Sequence, residues 1–549
     1  MNTAKKLAER TKKLAEYLKQ GEYFKVYNQF KERLDKNLDY ERFCCIFAEL
    51  ITFSLFLERL GYIKNGLGKI VSFVSFDDLE LVCGDLIKEI DGINLEMLRG
   101  ELGDKDVVLH FYEQFLSEFD GDLRKERGVY YTPEPIVKFI VAAVDSVLVN
   151  EFGCENGLGN GKVRLLDFCC GTGSFLLEAL RVAFGRGGKG LEKRFGGYEI
   201  MVAPFFIAYL KSLELFKEFG VDLDDERLNI YLTNTLYNLN VPESEQKGAN
   251  IFHKTLMALN NEFISAKKLK DKEILIITGN PPYSGASANA GLFENEVRNT
   301  YGKEPNTNEK LQNEKNPKVL LDDYVKFMRF AESKLETQEQ GIFALISNNG
   351  FLDNPTFRGM RFHLLNTFNK IYILDLHGSI RKREKSPDGS KDDNVFDIQT
   401  GVCISVFIKT GKKQNGELAE VFHYELFGVR QNKYNFLLEN NLNSITWNKL
   451  NPQLPFCLFV PQNEKLIKEY DKGWEIKNIF ILSNSAVKTG KDDFCISKSN
   501  NEKSLQEFKE KIKKFINFEA EFARIELNLG DDARDWQIEL AKKRFKRNK

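Results

Sequence analysis

Apolar residues follow two different periods along the chain, with a change near residue 128. Before that point they recur at helical spacing, and residues 43–60 are apolar almost all round, as in a buried helix. One narrow stripe consists of Leu7, Thr11, Leu14 and Leu18. A stripe of this kind can serve as a coiled-coil surface, but it more often faces a protein core. The pattern predicts a helical domain over residues 1–127.

From residue 163 to residue 409, short apolar runs typical of strands alternate with helix-length stretches. The strand-like runs are residues 164–167, 197–200, 230–232, 274–277, 341–346 and 402–408. Helical patterns lie between several of them, at residues 175–184, 203–219 and 324–335. Alternation of this kind builds βαβ units, in which helices cover both faces of the sheet. We therefore expect an α/β domain with a mostly parallel sheet over residues 128–410.

Two polar stretches interrupt this alternation. Residues 285–318 are rich in Asn, Glu, Lys and Gly without periodicity, which predicts a long loop. Residues 381–393 begin with the basic run Arg381-Lys-Arg383 and contain Pro387-Asp-Gly-Ser390, a turn signal. Beyond residue 411 the pattern is mixed, apart from a charged helical stretch at residues 505–518 and a basic end at residues 541–549. A solvated tail and a phosphate-binding tail both remain open for that end.

Composition excludes several classes of protein. Lys and Arg (79) nearly balance Asp and Glu (80) over 549 residues, so any nucleic-acid surface must be local. The longest apolar runs are too short and too charged to span a bilayer, and the charged N-terminus lacks a secretory signal's apolar core. Nine cysteines without a CxxC pair, and only five histidines, argue against a metal centre. These features predict a cytoplasmic protein with reduced thiols.

The first candidate for chemistry is a glycine-containing turn between a strand and a helix, Asp167-Phe-Cys-Cys-Gly-Thr-Gly-Ser-Phe175. Gly171 and Gly173 leave room for a cofactor to touch the backbone. A third glycine at phosphate-binding spacing is missing, which disfavours a pyrophosphate cofactor. The next strand ends near Glu199, where a carboxylate can accept both ribose hydroxyls of a nucleoside. Taken alone, Glu199 could instead be a surface residue that begins a helix, the less frequent of the two cases.

The second candidate is Asn280-Pro-Pro-Tyr283, directly after an apolar strand. Pro281 and Pro282 fix the backbone and remove two amide donors, so the carbonyl oxygens there can act as acceptors. An amino group could be held between the Asn280 side-chain oxygen and the Pro281 carbonyl oxygen, with the Tyr283 ring stacked on the attached base. Such a site would aim the nitrogen lone pair at an electrophile without a strong base.

Together the two motifs resemble those of S-adenosylmethionine-dependent methyltransferases, specifically the N6-adenine DNA methyltransferases of type ISP and type IIG restriction-modification enzymes. Residues 110–116 and 124–137 are similar to the segment that enters the methyltransferase domain of those enzymes, and residues 485–494 are weakly similar to the segment that leads to target recognition. The resemblance covers roughly residues 40–410. It implies a Rossmann-like methyltransferase fold, preceded by a helical domain and followed over residues 411–549 by a partial α+β target-recognition segment.

The resemblance also implies a role for each motif position. The residues that would close over or line the methionine end of S-adenosyl-L-methionine are Tyr131, Thr132, Pro133, Asp167, Gly171, Gly173 and Phe175. Glu199 would bind the ribose, and Asn234 and Thr235 would lie near the cofactor adenine, although many relatives have an acid in place of Asn234. The flipped target adenine would be held by Asn280, Pro281, Pro282 and Tyr283, with Phe396 packed against it.

The function implied is site-specific methylation of adenine N6 in double-stranded DNA, as the modification part of a restriction-modification system, without a metal. The nuclease and ATP-driven motor of whole enzymes of this kind are not visible, and no GxxxxGK[ST] motif occurs. We therefore expect a cytoplasmic chain shortened at both ends, with separate nuclease, helicase or recognition subunits as partners. Two alternatives remain open: a methyltransferase that acts on RNA or on a protein amide, and an inactive DNA-binding or assembly subunit.

Overall fold

The computed structural model describes five main stretches of the chain. They are residues 2–59, 132–236, 273–311, 317–470 and 501–529, apart from positions 22, 34, 36–37, 222, 224–227, 284–288, 290, 292, 308 and 415; isolated described positions elsewhere are 84, 86–92, 115, 118–119, 472–474, 479, 494, 537–539 and 541–542. The chain divides into two compact units, Met1–Pro461 and Gln462–Lys549. The domain borders predicted near residues 128 and 410 both lie inside the first unit and stay predictions.

The first unit begins with three helices, α1 (Asn2–Lys19), α2 (Phe24–Arg33) and α3 (Tyr40–Arg59). The predicted stripe of α1 is buried against α3, and the Thr11 hydroxyl lies 3.1 Å from the Thr52 hydroxyl of α3. In turn, Phe53 of α3 stacks on Phe206 of the α/β domain, with ring centroids 5.9 Å apart. The stripe is therefore a core-facing surface, the more frequent of the two cases predicted.

The α/β domain is built on a nine-stranded sheet. Its strands are β1 (Val163–Asp167), β2 (Phe195–Glu199), β3 (Asn229–Leu232), β4 (Ile274–Gly279), β5 (Gly341–Asn348), β6 (Lys370–Asp375), β7 (Val402–Lys409), β8 (Glu420–Glu425) and β9 (Asn448–Leu450). Their order across the sheet is β3-β2-β1-β4-β5-β7-β6-β8-β9. All run parallel except β7 and β9, which point the other way. The predicted Rossmann-like α/β fold with a mostly parallel sheet is confirmed.

Helices cover both faces of this sheet. They are α4 (Glu134–Phe152), α5 (Ser174–Gly185), α6 (Leu191–Arg194), α7 (Val202–Glu218), α8 (Glu294–Thr300), α9 (Asp323–Glu336), α10 (Arg358–Thr367) and α11 (Arg430–Glu439). Successive residues of β4 enter two separate cores: Ile274 and Ile276 belong to one, and Leu275 and Ile277 to the other. Because both faces are covered, the strand is apolar without interruption.

The structure contains elements that the sequence patterns missed. Strands β6, β8 and β9 were not predicted, and the predicted long loop over residues 285–318 contains α8 and the first two residues of a 3-10 helix, Pro317–Leu321. Helix α8 has one fully buried apolar residue, Val297, and the adjacent Tyr301 is fully buried as well. Two buried residues are too few to give a periodic signal. A hydrogen bond from the Gly291 N–H to the Glu294 carboxylate, at 2.9 Å, lies at the start of this helix.

The second unit has helices α12 (Glu464–Tyr470), α13 (Glu502–Asn517) and α14 (Ala520–Glu526). The helix predicted over residues 505–518 is thus confirmed. Its described core is small and includes Phe515, Ala523 and Leu529. Almost all of residues 485–494 and of the basic end lies outside the described residues. No helix in the described part of the chain is both long and apolar enough to cross a membrane.

Candidate active site

Both candidate motifs lie at one edge of the sheet, where the carboxyl ends of β1, β2 and β4 meet. Ligands of open α/β sheets bind at this edge, beside the point where the strand order reverses, here between β1 and β4. We call residues 168–173 the glycine turn. The Phe168 N–H donates to the Thr278 carbonyl of β4 at 3.0 Å, and the Cys170 N–H donates to the Tyr198 carbonyl of β2 at 2.8 Å. The glycine turn is therefore tied to both neighbouring strands.

Glycines are required at this edge by backbone conformation and close contacts. Gly173 has a φ of +89°, and a Cβ there would lie 3.2 Å from the Ala208 Cβ. Gly279, with a φ of +148°, brings β4 so near the glycine turn that a Cβ would lie 2.8 Å from the Phe168 ring. Gly171 differs, because no described atom lies within 4 Å of the place a Cβ would take. A cofactor could approach the backbone there, and a side chain would fill that space.

Glu199 ends β2 and faces the glycine turn. Its Oε2 accepts a hydrogen bond from the Gly171 N–H at 2.8 Å, and its Oε1 accepts one from the Met201 N–H at 2.8 Å. A carboxylate offers about four acceptor sites, and these two bonds orient the group beside the glycine turn. Glu199 can thus present acceptors to a pair of hydroxyl groups beside Gly171.

Asp167 ends β1 and is completely buried. Its Oδ1 accepts a long hydrogen bond from the Cys169 N–H at 3.4 Å, while its Oδ2 has no hydrogen-bond partner among the described residues. Burial raises the pKa of Asp167 to about 8, and the nearby Glu199 charge adds to the shift. Buried polar atoms without partners are rare and costly, so this oxygen marks a place for a donor that a ligand would supply. An ammonium group carries donors of this kind.

Two hydroxyl groups hold the side chain of Asn280. Its Nδ2 donates to the Thr132 Oγ1 at 3.0 Å, and the Tyr283 hydroxyl donates to its Oδ1 at 2.5 Å. Burial raises the pKa of Tyr283 well above its ordinary value, so this hydroxyl keeps its proton at neutral pH. The amide is thereby oriented with its oxygen on the Tyr283 side.

Two aromatic rings border the space beside Asn280. The rings of Tyr283 and Phe396 meet edge to face, with centroids 6.4 Å apart and planes at 74°. The Phe396 N–H donates to the Asn394 Oδ1 at 2.8 Å, and Arg430 of α11 donates to the carbonyls of Asn394 and Phe396 at 2.7 and 2.9 Å. The backbone of Phe396 is therefore fixed before any base arrives.

Asn234 and Thr235 have partners within the protein. The Thr235 hydroxyl donates to the Phe168 carbonyl of the glycine turn at 2.5 Å. The Asn234 Nδ2 donates to the Asn289 Oδ1 at 2.9 Å, and the Asn289 amide donates to the buried Asp323 carboxylate at 3.1 Å. Sequence reasoning missed Asn289 and Asp323, since Asn289 lies in a stretch without periodicity and no local signal links it to Asn234.

The structure brings most predicted site residues to this single edge. Contacts between Thr132 and Asn280, and between Gly171 and Glu199, connect segments far apart in the chain. Phe175 lies in the first turn of α5 and is buried, so its predicted contact with a cofactor stays a prediction. Tyr131 lies outside the described residues.

A second cluster of ionisable groups was not singled out from the sequence. Glu332, Glu336 and His363 place potential metal-ligand atoms within 4.8 Å of one another. Arg329, however, already binds Glu332 and Glu336 at 2.9 and 2.6 Å, and Tyr301 donates to Glu332 at 2.7 Å. Cations of the protein thus balance the carboxylates, and the cluster is a structural ion-pair network.

An open, mostly parallel sheet, a glycine turn after β1, a carboxylate at the end of β2 and an Asn-Pro-Pro-Tyr corner after β4 define a Rossmann-like domain of the S-adenosylmethionine-dependent methyltransferase class. Residues 103–352 match the family model described as N-6 DNA Methylase. That stretch of the chain therefore resembles an N-6 DNA methylase domain. The family recognition made from the motifs is confirmed.

Several solved structures share this fold. The DrdV-DNA complex matches at a TM-score of 0.65 and 20% identity, over 96% of this chain and 53% of that chain. The ATP-dependent Type ISP restriction-modification enzyme LlaBIII bound to DNA matches at a TM-score of 0.65 and 21% identity, over 94% of this chain and 36% of that chain. A nuclease-deletion mutant of the Type ISP enzyme LlaGI, in complex with a DNA substrate mimic, matches at a TM-score of 0.63 and 19% identity, over 85% of this chain and 39% of that chain. This chain thus spans about half the length of the DrdV chain and less than half of the LlaBIII and LlaGI chains. No curated protein matches the chain.

Proposed function

We propose that this chain is a site-specific DNA methyltransferase that transfers the methyl group of S-adenosyl-L-methionine to adenine N6 in double-stranded DNA. It would act as the modification component of a restriction-modification system. The observation that carries the proposal is the position of the Asn280 to Tyr283 corner beside the glycine turn, at the ligand-binding edge of an N-6 DNA methylase domain. The related structures that contain DNA or a DNA mimic support DNA as the substrate.

The residues at the glycine turn fit the cofactor. When bound, S-adenosylmethionine supplies a methyl group activated by its sulfonium. The unpartnered Asp167 Oδ2 would accept a hydrogen bond from the ammonium of the methionine end, and the Glu199 carboxylate would accept the ribose hydroxyls. The space next to Gly171 would admit the cofactor to the backbone. The other residues that we propose around it are Tyr131, Thr132, Pro133, Gly173, Phe175, Asn234 and Thr235.

The Asn280 corner would hold the extruded adenine. The adenine N6 amino group carries two hydrogens, and the Asn280 Oδ1 and the Pro281 carbonyl would accept one each. Tyr283 and Phe396 would pack against the base. Extrusion costs a few kcal/mol, which stacking and these hydrogen bonds would offset. Because the chain only has to hold the nitrogen in line with the methyl donor, positioning would supply the main part of the rate.

Restriction would require further functions that this chain does not show. Its sequence has no GxxxxGK[ST] motif for an ATP-driven motor. We propose nuclease, helicase or recognition subunits as partners of this chain. We propose the cytoplasm as the compartment in which this enzyme meets its DNA.

The test is methyl transfer from tritiated S-adenosylmethionine to a mixed-sequence duplex, with the product base identified after digestion. We expect N6-methyladenine in the wild type. Asn280→Ala and Tyr283→Ala should each lower the transfer rate by on the order of 100-fold, as loss of an oriented hydrogen-bonding group does elsewhere. Binding of S-adenosylhomocysteine should persist in both variants. The control Asn366→Ala changes an exposed side chain of α10 and should leave transfer unchanged.

Undiminished transfer in Asn280→Ala would contradict the proposed site. Transfer into RNA or into protein, with none into DNA, would contradict the proposed substrate. Cofactor binding without transfer to any of these substrates would instead identify a non-catalytic subunit.

A further inference from the structure

A loop of positive surface charge follows β6 and has no role in the proposed chemistry. We call residues 379–391 the basic loop. Five basic side chains of this loop are exposed, namely Arg381, Lys382, Arg383, Lys385 and Lys391. The chain as a whole has a formal net charge of -1, so this concentration of positive charge is local.

Two acidic residues face inward here, Glu384 within the loop and Asp392 directly after it. The Glu384 carboxylate accepts a hydrogen bond from the Ser379 N–H at 2.7 Å. The Asp392 side chain is fully buried, where it pairs with the buried Lys433 at 2.8 Å and accepts a bond from the Gly378 N–H at 2.7 Å. These carboxylates therefore stabilise the base of the loop and contribute little negative charge to its surface.

Part of the positive charge is not balanced by any acidic residue that the structure describes. Lys391 pairs with Asp393 at 2.9 Å, and Lys382 lies 3.4 Å from Asp353. In contrast, Arg383 and Lys385 make no ion pair with any residue that the structure describes. Exposed Asp388 is held by the Ser390 N–H at 2.9 Å, within the turn at the tip of the loop.

Backbone hydrogen bonds within the basic loop hold it in a defined conformation. The Ser386 N–H donates to the Ser390 carbonyl at 3.0 Å, and the Gly389 N–H donates back to the Ser386 carbonyl at 2.8 Å. Lys385 and Lys391 form an antiparallel bridge across the loop. The turn predicted from the sequence is thus present. A loop already ordered in this way loses less conformational entropy when it binds a partner.

The basic loop and Phe396, whose ring borders the space beside Asn280, belong to the same segment of the chain. Strand β6 runs parallel to β4, so the chain leaves β6 at the edge where Asn280 follows β4. The Asn394 Nδ2 donates to the Gly378 carbonyl at 3.1 Å, and a Cβ on Gly378 would lie 2.5 Å from the Asn394 Cα. Since Asn394 also holds the backbone of Phe396, the base of the loop and the Phe396 ring are joined through one residue.

We propose that the basic loop binds the DNA backbone next to the extruded adenine, with Arg383 and Lys385 contacting phosphates that flank the target nucleotide. This inference rests on the proposed function, because it takes duplex DNA as the partner. Lys and Arg contacts to phosphates carry no sequence information, but they fix the register of a protein on the duplex. Anchoring the backbone beside the target would hold the strand while the base is extruded toward Tyr283 and Phe396.

The test is duplex binding by fluorescence anisotropy at several salt concentrations, with the charge-reversal variant Arg383→Glu/Lys385→Glu. We expect its affinity to fall at least about tenfold, and the slope of log K against log salt to fall by about 2, which corresponds to two lost phosphate contacts. Binding of S-adenosylhomocysteine should not change.

The matched control is Lys189→Glu/Lys412→Glu, which reverses two exposed lysines. Lys189 lies shortly before β2 and Lys412 shortly after the antiparallel β7, so both are at the opposite edge of the sheet. The control has the same net charge as the loop variant and should retain the wild-type affinity and salt slope.

Each outcome separates the two proposals. An unchanged salt slope in the loop variant, or equal losses in the loop variant and the control, would overturn the loop proposal and leave methyl transfer by the wild type as evidence for the proposed function. Wild-type protein that binds DNA through the loop but transfers no methyl group would overturn the proposed function alone. Wild-type protein that binds no duplex DNA would overturn both.

Discussion

The side chain of Asn280 depends on a hydroxyl group that lies 148 residues earlier in the chain. Thr132 accepts a hydrogen bond from the Asn280 Nδ2, which holds the amide in one orientation and keeps its oxygen on the side of Tyr283. Without that bond the amide could rotate and present a donor where an acceptor is needed. Thr132 would therefore position Asn280, in addition to the contact with the cofactor that the family resemblance implies.

Replacing the Thr132 hydroxyl with a methyl group should separate these roles. We expect Thr132→Val, which keeps the shape of the side chain, to lower the single-turnover rate of methyl transfer about tenfold, the effect of losing one hydrogen bond of ordinary strength. Thr132→Ser keeps the hydroxyl and should stay close to the wild type. A Val variant as fast as the Ser variant would show that the bond does not position Asn280.

The buried carboxyl group of Asp167 should make cofactor binding depend on pH. Its pKa of about 8 means that it is mostly protonated at pH 7, whereas a cofactor ammonium would bind the ionised form. The Kd of S-adenosylhomocysteine should therefore fall as pH rises from about 6.5 toward 8, by nearly tenfold per pH unit, and then level off. Titration calorimetry of wild type and Asp167→Asn would measure this.

The Asp167→Asn variant has no ionisable group at this position and should bind more weakly at pH 8, with a Kd that changes little over the same range. A wild-type Kd that does not vary with pH would contradict the pairing of Asp167 with an ammonium group.

At the scale of elements, helices α9 and α10 are joined by an ion pair between the half-buried His363 and the fully buried Glu332. The His363 Nδ1 lies 2.9 Å from the Glu332 Oε1. Burial opposes the charge of Glu332, but the hydrogen bond and charge of His363, together with Arg329, lower its pKa to about 2. Burial likewise opposes the charge of His363, but Glu332 outweighs it and raises the pKa of His363 above its ordinary value.

The stability that His363 contributes should therefore vary with pH. Its raised pKa gives a contribution that is complete below about pH 6.5 and is lost as pH rises through that raised value. The lowered pKa of Glu332 gives a contribution that is present above about pH 4.5 and is lost as pH falls toward 2. The melting temperature of the wild type should exceed that of His363→Gln most between these limits, and the gap should shrink at alkaline pH.

Thermal unfolding at a series of pH values would measure this gap, with Asn366→Ala, an uncharged change on the same helix, as the control. A gap between wild type and His363→Gln that stays constant from acid to alkaline pH would contradict the ion pair.

At the scale of the whole molecule, the first unit contains every part of the proposed site. Met1–Pro461 includes the whole nine-stranded sheet, and the second unit has a small core of its own. We expect a chain that ends at Pro461 to unfold cooperatively and to bind S-adenosylhomocysteine as tightly as the full chain. Calorimetry and thermal unfolding would measure both.

A chain that ends at residue 410, the predicted domain border, is the matched comparison. It would lose β8, which pairs with β6 along its whole length, and α11, whose Lys433 and Arg430 hold the segment around Phe396. We expect this shorter chain to lose cooperative unfolding. If both shortened chains behaved alike, the extent of the first unit would be wrong.

The sequence by itself determined the elements and motifs whose signals are local. Helical periodicity identified α3, α5, α7 and α9, and short apolar runs identified six of the strands, because each buries enough apolar residues of its own to leave a pattern. The glycine turn and the Asn280 corner were also recognisable, since glycine and proline constrain the backbone at their own positions. Strands β6, β8 and β9 lie beyond β7 toward one side of the sheet, and α8 is short, so their patterns are weaker.

Only the tertiary structure decided which side chains meet. Thr132 bonds to Asn280, Asn234 bonds to Asn289, and Arg430 holds the carbonyl of Phe396, although each pair is separated by at least 34 residues. The packing of distant segments likewise turned the acidic groups at the base of the basic loop inward and left Arg383 and Lys385 at the surface. Such pairings depend on how the whole sheet is ordered, and no local pattern of residues records them.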